Sequence, residues 1–234
     1  MKQSIVMTDP KKPDSFYEEA IKTLRTNLQF AGRGIRVILI SSCFPNEGKS
    51  NIAFQLTREM GNMGKKVLLL DADIRKSGLV QRYLVDSDVK GLSQYLSGQA
   101  PVRDILYGTN YENMDVIFAG PMAPNPSELL NGKVFAKLMI ELKQRYDYVL
   151  IDTPPMANVV DAAIVGKVCD GAILLIESGF VGYRAAQKAI KQLEKSGTHM
   201  LGAVLNKVDA RKEKYYSYYS YGSKYGYGQN HENA

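Results

Sequence analysis

The chain has 234 residues, 45% of them hydrophobic and 23% charged, which suits one large buried core and excludes a disordered polymer. Two cysteines rule out a disulfide framework or a zinc site, and no run of about 18 apolar residues is available to cross a membrane. The formal net charge of +6 permits contact with nucleic acid or an anionic membrane, but the cations are scattered and read as a solvated surface.

Residues 1–13 carry charges and prolines without the apolar centre of a signal peptide, and read as an extended arm. Ser15-x-x-Glu18 is a capping box, and Tyr17, Ile21, Leu24 and Leu28 follow at helical spacing, so a helix over about 15–30 is expected. Its other face carries Glu19, Lys22 and Arg25, three apart. From spacing alone that is a solvated face with local ion pairs.

Val37-Ile38-Leu39-Ile40 is an apolar strand leading into Phe44-Pro45-Asn46-Glu47-Gly48-Lys49-Ser50, with helical periodicity from Ile52 to Met60. A strand, a tight loop ending in Gly-Lys-Ser and a helix form a phosphate-binding P-loop. The candidate nucleotide-binding residues are Pro45, Asn46, Glu47, Gly48, Lys49, Ser50 and Asn51. Loop amides and the helix N-terminus face the phosphates of ATP, Lys49 supplies a cation and the Ser50 hydroxyl ligates Mg²⁺. Cys43 stands where the usual first glycine would be, as a loop filler or a redox handle. Asn46 replaces another glycine and is expected to tolerate positive φ.

Val67 to Leu70 reads as a buried strand ending in Asp71-Ala72-Asp73. Residues 77–113 mix short helical patterns with loops, and Gly91-Leu92-Ser93 looks like a helix start. Val116 to Phe118 is another short strand. Residues 127–142 are helical, with Val134, Leu138, Met139 and Leu142 on the apolar side. Val149 to Ile151 is a strand ending in Asp152-Thr153-Pro154-Pro155. Strands at 172–176 and 200–205 flank a helix over 184–193.

This alternation predicts an α/β, P-loop NTPase-like fold, a mostly parallel sheet with helices on both faces over residues 1–210. Ligands bind such sheets beyond the strands' carboxyl ends, so the P-loop, Asp71, Asp73 and Asp152 can converge. Asp152 is a Walker B type Mg²⁺ ligand, and Asp71 or Asp73 could hold Mg²⁺ or accept a proton from an attacking hydroxyl. Arg75 either contacts phosphate or pairs with an aspartate.

From residue 211 the pattern stops. Tyr215, Tyr216, Tyr218, Tyr219, Tyr221, Tyr225 and Tyr227 sit among Ser, Gly and Lys, and residues 211–234 read as a low-complexity, flexible tail. Residues 211–227 span roughly 50–60 Å extended. The folded part has a radius of gyration of roughly 17 Å, so the tail can reach a neighbouring subunit. Four cations against two carboxylates leave the tail only +2, too little for a nucleic-acid contact.

The combination resembles the bacterial tyrosine kinases of capsule and exopolysaccharide synthesis, the BY-kinases, in their cytosolic form. The resemblance rests on the Walker A loop, on Leu68-Leu69-Leu70-Asp71-Ala72-Asp73 as a Walker A′ motif, on Asp152-Thr153-Pro154-Pro155 and on the tyrosine cluster, with Asn125-Pro126-x-Glu128-Leu129-Leu130 in addition. It implies a protein-tyrosine kinase that autophosphorylates its tail between subunits, with ATP and Mg²⁺ as cofactors and further protein substrates. It also implies ring-like homo-oligomers formed through an E-x-x-R-x-x-R helix, here Glu19, Lys22 and Arg25. Lysine in place of the first arginine loses bidentate geometry. A separate membrane-spanning activator would hold this cytoplasmic chain at the inner face of the membrane.

The rivals are a switch ATPase of the chromosome-partitioning or division-site type and a metal-cluster scaffold. The first carries a lysine where this chain has Phe44, and the second needs paired cysteines.

Overall fold

The structure, a computed structural model, describes residues 3–10, 14–32, 34–85, 87–157 and 160–209. The tyrosine tail expected over 211–234 lies outside the described residues.

In chain order the elements are β1 (Gln3–Ser4), α1 (Ser15–Phe30), β2 (Val37–Ser42), α2 (Lys49–Asn62), β3 (Val67–Asp71), α3 (Leu79–Arg82) and α4 (Leu92–Leu96). A 3₁₀ turn (Val102–Asp104), β4 (Tyr107–Gly108), β5 (Met114–Ile117), α5 (Pro126–Leu130), α6 (Lys133–Arg145) and β6 (Tyr148–Asp152) follow. The described chain closes with α7 (Asp161–Gly166), β7 (Gly171–Glu177), α8 (Tyr183–Lys195) and β8 (Met200–Asn206).

All the strands among the described residues join one eight-stranded sheet in the order β1-β4-β5-β3-β6-β2-β7-β8. Neighbours pair in parallel except β4 with β5. The central strands are mostly apolar because both faces are covered, and β2 and β3 are buried along their whole length. Side chains alternate between the faces. Val37, Leu39, Leu68 and Leu70 pack with α4 to α8, whereas Ile38, Ile40, Val67 and Leu69 pack with α1 and α2. Each fully buried Leu or Ile contributes about 1.5–3 kcal/mol.

Several sequence readings are corrected. The cap of α1 is Asp14, whose carboxylate accepts the Tyr17 N–H at 2.7 Å, and Ser15 is already helical. A carboxylate one residue earlier reaches the third helical amide, which leaves Ser15 no capping role. The N-terminal arm is extended as expected but also paired: β1 adds to β4, and Ile5 and Met7 are buried. β4, absent from the sequence reading, is two residues long and forms an antiparallel hairpin with β5. In α6 the inward position is Phe135 and Val134 is exposed.

Candidate functional site

β2 delivers the chain to the P-loop at the carboxyl edge of the sheet. Asn46 adopts φ 66° and Gly48 φ 97°, the left-handed region that lets the loop turn its amides inward before α2 begins at Lys49. A Cβ on Gly48 would lie 2.3 Å from Asn206 Nδ2, which itself donates to the Glu47 carbonyl at 2.7 Å. The Glu47 side chain is fully buried. It accepts from the Phe44 N–H and, at 2.9 Å, from the Glu177 N–H. The loop is thus fastened to the ends of β7 and β8 by Glu47 and Asn206. The fastening residues on those strands are absent from the sequence reading, because nothing local marks a contact spanning about 130 to 160 residues.

A cavity of about 430 Å³ opens beyond the strand ends, lined by Gly48, Lys49, Ser50, Asp71, Asp73 and Asp152 among others. The register of β3 and β6 sets Asp71 directly beside Asp152. Lys49 Nζ lies 3.4 Å from Asp152 Oδ1 and 3.3 Å from Ser50 Oγ. Asp71 accepts the Asp73 N–H at 3.0 Å and also the Ser77 hydroxyl, while Asp73 accepts the Lys76 N–H at 3.0 Å. Pro45 and Asn46 line the same cavity. The side chains of Glu47 and Asn51 do not: Asn51 donates to the Tyr17 hydroxyl of α1 at 2.7 Å.

Burial and the neighbouring Asp152 push Asp71 up to about 7. Burial likewise raises Asp152 against the pull of Lys49. Burial would lower Lys49, but the charges of Asp152, Asp73 and Asp71 outweigh it and hold the ammonium protonated. The site therefore joins one firm cation to carboxylates that resist full ionisation.

Arg75 pairs with an aspartate: its guanidinium contacts Asp161 at 2.5 and 3.1 Å and Ser127 at 2.8 Å. Asp161 is fully buried, so the pair ties the segment after β3 to α5 and α7. In α1, Lys22 and Glu19 pair with each other at 3.5 Å, and Arg25 reaches Glu59 of α2 at 2.7 Å.

Among the described residues no group of three His, Cys, Asp or Glu is arranged to hold a metal alone. Asp152 Oδ1, however, is buried and makes no closer contact than its 3.4 Å ion pair with Lys49, with the Ser50 hydroxyl beside it. A buried carboxylate oxygen held this loosely beside a hydroxyl fits Mg²⁺, which keeps waters and takes its other ligands from substrate phosphates.

The family model described as an AAA domain matches residues 35–202. The tyrosine-protein kinase CpsD of Streptococcus agalactiae is 39% identical over 207 residues, 88% of this chain and 90% of that protein. The kinase domain of the Escherichia coli tyrosine kinase ETK superposes with a TM-score of 0.80 at 33% identity, covering 84% of this chain and 78% of that one. The septum site-determining protein MinD from Pyrococcus horikoshii, complexed with Mg-ADP, gives a TM-score of 0.65 at 28% identity over 76% of this chain and 72% of its own.

Proposed function

This chain belongs to the bacterial tyrosine kinases, and on that premise we propose that it passes the γ-phosphoryl group of ATP to the tyrosines at 215–227 of a neighbouring copy. The observation that carries the reading is the convergence of Lys49, Ser50, Asp71, Asp73 and Asp152 on one cavity at the carboxyl edge of the sheet.

The chemistry needs positioning and charge rather than covalent catalysis. Loop amides and Lys49 hold the triphosphate. Ser50, Asp152 and Asp73 would hold Mg²⁺, which when bound neutralises charge on the β- and γ-phosphate oxygens. A tyrosine oxygen bonds to the γ-phosphorus as the bond to the β,γ-bridging oxygen breaks, and ADP leaves with that electron pair. The phenolic proton passes to Asp71, whose carboxylate lines the same cavity beside Asp152. Phenols titrate near 10, so the proton must leave during attack rather than before it.

Each added phosphate brings roughly −1.5 to −2 charges, so a few invert the tail's sign and disperse the oligomer. Of the Glu19, Lys22 and Arg25 series on α1, the exposed Glu19 and Lys22 are the proposed ring contact, since Arg25 is drawn inward onto Glu59 of its own chain rather than lying on a solvated face; capsule or exopolysaccharide synthesis is the proposed context. A membrane-spanning activator would hold this chain at the inner face of the membrane. The described helices give no route across it: none is long and apolar enough.

Incubation with Mg-ATP followed by mass spectrometry tests the reading. Phosphate is expected on residues 215–227 and absent in Lys49→Met. ATP hydrolysis with unmodified tyrosines would favour the switch ATPase, for which the likeness to MinD speaks.

A further inference from the structure

The N-terminal arm does more than extend the sheet. Beyond β1 it buries Met7, and the Thr8 N–H donates to the Tyr83 carbonyl at 2.8 Å, just after α3. Asp9 then accepts from Gln55 Nε2 of α2 at 2.5 Å. The arm therefore bridges α3 and α2 next to the phosphate site. Asp9 and Pro10 wall a second cavity of about 430 Å³ with Asn51, Gly78, Gln81 and Arg82.

Gly78 and Arg82 line this cavity and the nucleotide cavity alike, so the two spaces meet there. The junction is open: a Cβ on Gly78 would meet no heavy atom within 4 Å. It also lies beside the reacting groups, since Ser77, the preceding residue, donates to Asp71. Arg82 is exposed; its backbone N–H donates to the Gly78 carbonyl at 2.9 Å, while its guanidinium makes no hydrogen bond or ion pair among the described residues, which leaves those donors for a ligand.

We propose that the cavity between the arm and α3 is the acceptor port. Through it a tyrosine-bearing segment of a second copy enters, with its phenol passing Gly78 toward Asp71 and its backbone carbonyls meeting Arg82. A volume of about 430 Å³ lies within the range of small-ligand sites and accommodates a tyrosine with its flanking backbone. The port rests on the kinase reading above and adds where the acceptor binds.

The test uses the full chain, Mg-ATP and a synthetic peptide of residues 211–227 as acceptor. Gln81 is exposed and lines the port without lining the nucleotide cavity, so Gln81→Trp fills the port while leaving the ATP site intact. The expected result is a KM for the peptide raised about tenfold or more, with the affinity for a fluorescent ADP analogue unchanged within about twofold. Gln81→Ala, which removes volume, should leave the peptide KM near wild type. An unchanged peptide KM in Gln81→Trp, or an equal loss of nucleotide affinity, overturns the port and leaves the kinase reading standing. A wild-type protein that hydrolyses ATP but never modifies the peptide overturns both.

Discussion

Asp71→Asn is expected to stabilise the ligand-free protein at pH 8 while abolishing phosphoryl transfer. Asp71 is 1% exposed and Asp152, its partner across the β3–β6 ladder, 2% exposed. Ionising both beside one lysine confines like charges where water cannot screen them. Burial and Asp152 push Asp71 from 3.8 to about 7. A raised acid pKa means the folded state binds the proton more tightly than the unfolded chain. Stability is therefore greatest below about pH 4 for this group and falls as pH rises through about 7.

Three pH units correspond to roughly 4 kcal/mol, and relaxation of the site in water brings the expected gain nearer 2. Asparagine keeps the geometry: its oxygen accepts the Asp73 N–H, and its amide donates to a rotated Ser77 hydroxyl. For a domain of this size the gain is a rise in Tm of about 4–8 °C at pH 8, and almost none at pH 4. Thermal denaturation of both proteins across that range, without nucleotide or metal, reads it directly. Equal Tm differences at the two pH values, or a less stable variant at pH 8, would refute the argument.

Other substitutions separate the parts of the site. Lys49→Met removes the cation facing Asp152 and should reduce transfer by about 10²-fold or more in a phosphotyrosine assay. Gly48→Ala must place a Cβ against Asn206 at a φ of 97°, so nucleotide affinity measured by calorimetry should fall and Tm drop with it. Arg25→Ala breaks a largely buried pair with Glu59 and should cost about 1–3 kcal/mol in urea unfolding. Asp161→Ala frees Arg75 and uncouples the segment after β3 from α5 and α7, so transfer should fall more than nucleotide binding.

The sheet was legible because the central strands are buried on both faces and read as mostly apolar runs, some of them ending in a carboxylate with an evident charge role. Val67 to Asp71 and Tyr148 to Asp152 are examples. The P-loop was legible from spacing, and Asn46 takes the positive φ its side chain tolerates. Most of what escaped was either short or distant. β4 has two residues and no periodicity to detect. The holds on Glu47 come from Asn206 and Glu177, and the Asp161 that claims Arg75 lies 86 residues away. The true α1 cap escaped because Asp14 and Ser15 are adjacent good cap residues, and only the backbone decides between them.

Transfer between copies requires the carboxylate-rich nucleotide site of one copy to serve the tyrosines of another. The direct measurement mixes Lys49→Met full-length protein with a wild-type site lacking residues 212–234, adds Mg-ATP and maps phosphate by mass spectrometry. Phosphate on Tyr215 to Tyr227 of the Lys49→Met chain, which neither protein produces alone, is the predicted result. Phosphate that appears only when an intact site and a tail share one chain would contradict it.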